Sequence, residues 1–359
     1  MLGLRLESRI PSELFVQAPF IYSGPDFVSF PLGMISDLIN YRGKSIQRFW
    51  PLTISKVLSN GNLVDQVFCF AFFYIEDRGD PVLFLTYPYW FDRSDLEESS
   101  QFFFGRVEDL ARSVGSKRIK AELHELISPP VSFPNSVSEF SYDLDVVKIQ
   151  ETNVRLFQEH GFQDERILLC YDRRIEDARL KMEERHGTRS SFMIGAPDQS
   201  KIAAIDAQIC EFPLREYCLS KTDPILTRRI THFFSDSQSI AYKRDAVFPK
   251  RRIEGFCQWS PNLFEFLKEN RSPIPFLFYD HLTGHRFKCA KFFRWGLRSE
   301  DPELLVSLVF HGLQSMERHG IERCQIGPVD RQQMFMTSML ESYGFHVAHK
   351  ARILRKDLW

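Results

Sequence analysis

Residues 105–125, GRVEDLARSVGSKRIKAELHE, and residues 308–327, LVFHGLQSMERHGIERCQIG, carry one pattern, and that pattern decides the fold. Each opens as an amphipathic helix, stops at a glycine (Gly115, Gly320) and resumes as a short strand with an arginine three residues on (Arg118, Arg323). In the first, Phe103, Val107, Leu110 and Val114 keep the helical rhythm, and carboxylates at Asp95, Glu97 and Glu98 fill the first turn. Upstream lie two β-rich runs, 59–77 and 81–91, joined by the turn signal Asp77-Arg-Gly-Asp80. Downstream, 147–160 reads as a helix closed by Gly161-Phe162, and ERILLCYDRRI (165–175) as a last strand, followed by a charged helix at 176–184.

The second stretch has the same surroundings. PIPFLFYDH (273–281) and RFKCAKFFRWGL (286–297) precede a helix at 301–319, with Pro302 in its first turn. After the strand at 321–329, a helix at 332–342 closes at Gly344-Phe345 and HVAHKARILRK (346–356) is the final strand. Strand–strand–helix–strand–helix–strand, used twice, gives an α/β (α+β) chain of two units with mixed, mostly antiparallel sheets flanked by helices. The helix-stop glycine precedes Gly-Phe by 46 residues in the first unit and 24 in the second. The surplus maps to SPPVSFPNSVSEFSYD (128–143), a Ser- and Pro-rich loop insert. The units divide as 1–188 and 189–359. Helix signals at 32–40 sit in an N-terminal segment that packs on the first unit, and 192–260 has no clear period.

Composition bounds the function. With 359 residues, Lys+Arg 46 against Asp+Glu 47 and a net charge of −1, no global field draws nucleic acid or an anionic membrane. Charges at Arg5, Glu7 and Arg9 break any secretory signal, and the longest apolar run, VFCFAFFYI (67–75), is too short to span a membrane. Seven scattered cysteines without CxxC fit a reducing cytoplasm and argue against disulfides or zinc. His281-x-x-x-His285 lies in a turn, so no metal is expected. Aromatic content of 14%, with 34 Phe, falls mostly at core spacing, for example Phe102–Phe104; an apolar tunnel for a fatty acyl chain or a homodimer surface are the other uses. Lys243, Arg244, Lys250, Arg251 and Arg252 form a basic stretch, a solvated face or a dock for an acidic carrier protein.

These stretches, together with ETNVRLFQEHGFQDERILLCYDR (151–173) and LESYGFHVAHKARI (340–353), resemble the GNAT acyltransferase superfamily. Asn153-x-x-x-Phe157-x-x-x-Gly161-Phe162 is similar to its Asn…Tyr-x-x-x-Gly-Phe helix. The resemblance implies that an acyl-CoA or acetyl-CoA co-substrate inserts its pantetheine arm between two splayed strands. It also implies a pyrophosphate on a Gly-rich loop at a helix N-terminus, where orphan N–H groups and the dipole favour an anion. By that resemblance Thr86, Tyr89, Arg93 and Asn153, with Arg294 and Gly296 in the second unit, are the candidate cofactor-binding residues.

The residues also depart from the superfamily. Neither loop, YWFDRSDLEESS (89–100) or RWGLRSEDPELL (294–305), has the spaced glycine pair, and both place carboxylates where a pyrophosphate would sit. The position of the general-acid Tyr is Phe157 in one unit and Leu340 in the other. Other donors are therefore needed: Tyr87 at a strand end, with Glu122 and His124, which alternation sets on one face of their strand. The leading reading is an N-acyltransferase moving an acyl group from a thioester (acyl-CoA or acyl-carrier protein) to a small-molecule amine. The alternative is a non-catalytic ligand- or partner-binding protein on a degenerate scaffold. A Fem-type aminoacyl transferase is the third, and its tRNA partner fits poorly with a charge of −1.

Overall fold

The computed structural model describes residues 4–8, 46–75, 79–90, 96–124, 154–186, 190–197, 208, 212–215, 236–243, 252–261 and 285–358. The expected helix at 32–40, the insert at 128–143, the strand at 273–281, His281 and residues 244–251 of the basic stretch lie outside them.

The first unit runs β1 (Leu4–Glu7), β2 (Ile46–Val57), β3 (Leu63–Ile75), β4 (Pro81–Trp90), α1 (Leu96–Ser113), β5 (Arg118–His124), a helical stretch at 154–159, and β6 (Gln163–Arg174). After α2 (Ile175–His186) come β7 (Phe192–Gly195), β8 (Leu214–Arg215), β9 (Gln238–Lys243), β10 (Ile253–Pro261) and β11 (Cys289–Leu297). The chain ends with α3 (Pro302–Arg318), β12 (Arg323–Asp330), α4 (Met334–Ser342) and β13 (His346–Asp357). Every helix and strand read from the repeat and lying within the described residues is present, shifted by a few residues at its ends.

The two expected sheets are one. Strand order is β1-β2-β3-β4-β5-β13-β6-β12-β11-β10-β9-β7, with β8 on β11. Neighbours are antiparallel except β4–β5 and β11–β12, the two parallel pairs, each joined through a helix as a parallel connection requires. The centre is an exchange. The last strand of the second unit, β13, lies between β5 and β6, while the last strand of the first unit, β6, lies between β13 and β12. Each unit completes its sheet with the other's final strand, so β13 places Ala351 and Ile353 in one core and Leu354 in another.

The sequence landmarks explain this seam. Arg118, after Gly115, donates to Asp357 of β13 at 3.1 Å. Arg323, after Gly320, donates to the buried Asp172 of β6 at 2.5 Å. Lys356 of β13 reaches Glu108 of α1 at 2.6 Å and the His160 carbonyl at 2.6 Å. The more exposed of these pairs contribute only about 0–1 kcal/mol each; burial along the ladder supplies the bulk of the attachment. All four landmark helices stop in the same way. A glycine in the left-handed region (φ +74 to +85) turns the chain, and the next N–H bonds back five residues: Ser116 to Ala111, Phe162 to Phe157, Ile321 to Met316, Phe345 to Leu340.

Among the described residues no helix is long and apolar enough to cross a membrane. Cys69, Cys170, Cys257, Cys289 and Cys324 are free and buried. Burial pushes the Cys69 and Cys324 thiols up, and that of Cys257 to about 12, so these are packing residues without thiolate character.

Two predictions follow from the packing. A Cβ on Gly327 would stand 2.7 Å from Cys170 Sγ and 2.9 Å from the Leu169 carbonyl, where β12 meets β6. Gly327→Ala is therefore expected to cost about 1–3 kcal/mol in urea unfolding. Asp236, just before β9, accepts from Arg318 and His319 at the end of α3, each at 2.8 Å. Burial alone raises its pKa, but these bonds outweigh that and bring it down to about 2. A depressed carboxyl stabilises the fold above its unfolded pKa and loses that contribution as pH falls. Thermal stability should thus decline between about pH 4 and pH 2, and Asp236→Asn should flatten that part of the profile.

Candidate functional site

The two parallel ladders are short and then fork. The first pairs Val82 with Arg118 and ends with Thr86 opposite Glu122. At its closed end the buried Ser116 hydroxyl accepts from the Leu83 N–H at 3.0 Å and donates to the Arg118 carbonyl at 2.6 Å, pinning β5 to β4. Beyond the ladder each strand is paired, among the described residues, with its outer neighbour only. β4 stays with β3, Phe68 opposite Tyr89 and Val67 opposite Trp90, across an irregularity that leaves Tyr87-Pro88 as the extra residues. β5 stays with β13, His124 opposite Ala351. An extra residue bends and twists its strand, and Pro88 lacks an N–H to pair. Beyond Thr86 and Glu122 the facing edges are no longer paired among the described residues, and this end of the ladder is the first gap.

The second fork repeats the first. β11 and β12 pair from Cys289/Arg323 to Phe292/Ile326 and then separate. β11 carries a bulge at Phe293 against β10, and β12 one at Gly327-Pro328 against β6. Successive antiparallel neighbours β5-β13-β6-β12 leave β5 and β12 running in opposite directions, so the two gaps open toward opposite ends of the strands.

The gaps differ in what fills them. Strand β8 pairs with β11, Arg215 opposite Gly296 and Leu214 opposite Leu297. The other edge of those residues is taken by β10, where Gly296 faces Phe256 and Leu297 faces Gly255. A strand has two edges, so β8 lies on the side from which β12 has departed, inside the second gap. The helix beyond that gap is also satisfied from within. Asp301 caps α3, accepting from the Glu303 and Leu304 N–H groups at 2.9 and 3.3 Å, and Pro302 has no N–H to offer. Glu303 is engaged by the Ser191 backbone and by its hydroxyl at 2.8 Å. In the first gap no strand among the described residues pairs with the β5-facing edge of β4 beyond Thr86.

The sequence-derived candidates fall into three groups. Thr86, Tyr87, Tyr89, Glu122 and His124 come together on the two arms of the first fork, Thr86 and Glu122 as direct neighbours. Arg93 and Asn153 lie outside the described residues. Arg294 and Gly296 stand on β11, four strands away from β5 at the far fork. Arg294 lies over the Phe256 ring at 5.5 Å and approaches Gln258 Oε1 at 3.4 Å, both on β10, and Gly296 is locked between β10 and β8.

Phe157, at the position of the superfamily's acid, is 0% exposed in an aromatic cluster with Phe104 (4.8 Å), Phe162 (5.0 Å) and Trp90 (6.3 Å). Leu340 and Tyr343 are buried in the second unit. The sequence does not point to Lys120 or Trp90, and it offers Asp330 in the second unit without an obvious partner. Lys120, buried on β5, donates to Glu165 at 2.9 Å. Asp330 accepts from Arg166 at 2.7 Å across the seam. Trp90 ends the β4 arm. Residue spacing along one strand signals none of these contacts, because their partners come from other strands. Among the described residues no three His, Cys, Asp or Glu side chains cluster as a metal site requires.

No protein-family model matches the sequence, and no curated protein matches it either. Solved structures do resemble it. A tandem GNAT protein from the clavulanic acid biosynthesis pathway superposes with a TM-score of 0.57 at 10% identity, covering 99% of this chain and 98% of that one. The chain has the tandem GNAT fold. A GCN5-related N-acetyltransferase from Sphaerobacter thermophilus gives 0.56 at 10% identity, covering 99% and 97%. The N-myristoyltransferase of Saccharomyces cerevisiae, solved with bound myristoyl-CoA, gives 0.54 at 7% identity, covering 99% and 79%.

In this GNAT fold the Asp301 cap is a stability element. Asp301→Ala is expected to cost about 0.5–2 kcal/mol, measured by denaturant unfolding, and to leave thioester binding in calorimetry unchanged.

Proposed function

We propose that the chain is an acyltransferase that accepts a thioester in the first gap and passes its acyl group to an amine. One observation carries the reading: the second gap already holds β8, while the β4 edge of the first is unpaired among the described residues. On this reading Thr86 and Tyr89 line the donor and Arg93 and Asn153 lie near its outer end. His124, supported by Glu122, takes the proton from the attacking ammonium-derived nitrogen. The N–C bond forms, the C–S bond breaks, and Tyr87 returns a proton to the thiolate. Arg294 and Gly296 take no part. The units, 1–188 and 189–359, then divide labour: one binds the donor, and the other completes the sheet through β13. A cytoplasmic setting agrees with the buried free thiols.

Glu97 and Glu98 in the first turn of α1 disfavour a pyrophosphate there. The donor's recognised portion is therefore its pantetheine arm, common to acyl-CoA and an acyl-carrier protein. Burial of Phe157 favours a second reading, a protein that binds such a ligand without turnover. Calorimetric titration with acetyl-CoA and with S-acetylpantetheine is expected to give one site per chain, with the two affinities within about tenfold. Release of free thiol in a broad amine screen should fall by about 10²–10⁴-fold in His124→Ala and Tyr87→Phe. No heat with either donor overturns the proposal; heat without turnover selects the second reading.

A further inference from the structure

Trp90 is the last residue of β4, four positions past Thr86, and so about 13 Å along the arm from the fork at the usual rise per residue. Its indole is wedged edge-on between α1 and the 154–159 helix, 5.8 Å from the Phe103 ring and 6.3 Å from that of Phe157. The residue is 4% exposed, and its Nε1–H is buried with no hydrogen-bond partner among the described residues. A buried donor left unpaired costs about 1–3 kcal/mol, and buried Trp N–H groups ordinarily find a partner. Phenylalanine would fill the same aromatic cluster without that cost. The indole is thus a polar group that packing alone does not require.

We propose that the Trp90 Nε1–H donates to an amide carbonyl of the pantetheine arm when a thioester donor occupies the first gap. This rests on the donor reading above and extends it to a recognition residue. Extended pantetheine carries two amides between its thiol and its outer end. With the thioester at the Thr86/Glu122 fork, the arm runs outward along β4 toward Trp90. A hydrogen bond there reads the arm itself, independent of the acyl group and of any phosphate. It suits a loop whose carboxylates and missing glycines give little to a pyrophosphate. The second fork supplies an internal control: Trp295 stands three residues past Phe292 on β11, in the gap that β8 fills.

The test uses the full chain labelled with ¹⁵N, whose five tryptophans give separate indole signals, with Trp90→Phe assigning one of them. Saturating S-acetylpantetheine is expected to move the Trp90 indole proton downfield and leave that of Trp295 in place. Trp90→Phe should weaken both S-acetylpantetheine and acetyl-CoA by about three- to tenfold in calorimetry, the scale of one net hydrogen bond. Trp295→Phe should bind both as the unaltered protein does. Heat of binding with an unmoved Trp90 signal, or full affinity in Trp90→Phe, overturns this proposal alone. Absence of heat with both probes overturns the donor reading and this proposal with it.

Discussion

The pairing of β6 with β13 holds the molecule together, because each strand is the terminal strand of one unit and an interior strand of the other's sheet. Neither unit has a complete sheet without it. The ladder also sets the rest of the geometry. β13 fixes the outer edge of β5, and β6 fixes the outer edge of β12, so the inner strands of both forks are anchored from behind. Only because those outer edges are secured can the facing edges of β4/β5 and β11/β12 part without unravelling the sheet. Backbone groups left without a strand partner at a fork can take a ligand or another strand.

One architecture therefore yields two forks with different fates. At the second, β8 supplies backbone partners to Gly296 and Leu297, and Asp301 and Pro302 settle the helix N-terminus beyond. The features that would hold an extended ligand arm and an anion are consumed by the chain's own groups. At the first fork, Tyr87-Pro88 breaks the ladder and Trp90 closes the arm with a polar edge. The asymmetry is not in the repeat itself but in what lies between its landmarks.

Much of the fold was legible in the residues because the decisive signals are local. Gly115, Gly161, Gly320 and Gly344 each need a left-handed turn, and the helices before them carry apolar residues at helical spacing. Strand β2 was not legible. Pro51 argues against a strand, and the polar Thr53 and Ser55 are buried as fully as Leu52 and Ile54, so both faces are covered where the residue types suggest one. Pro51 is tolerated because β1 pairs only with Thr53–Lys56, leaving its edge there unclaimed by β1. Of the candidate residues, Thr86, Tyr87, Tyr89, Glu122 and His124 stand on neighbouring strands because they lie at the ends of strands legible in the sequence. Arg294 and Gly296 were assigned by analogy of position, and nothing near them in the chain reveals that β8, some eighty residues earlier, pairs with that edge.

The sequence by itself determined most of the helices and strands between residues 59 and 186 and beyond 286, and their order, because helix stops, turns and apolar periods depend on neighbours within a few positions. It also determined the absence of the superfamily's acid at 157 and of its glycine loops, since these are matters of residue identity. Only the tertiary structure decided that the two sheets are one, that terminal strands are exchanged, and that one fork is filled while the other, among the described residues, has an unpaired arm. Those outcomes rest on hydrogen bonds and burial between residues far apart in the chain, such as Arg323 with Asp172 or Leu214 with Leu297. Pairing of that kind leaves no periodic trace in the strands that make it.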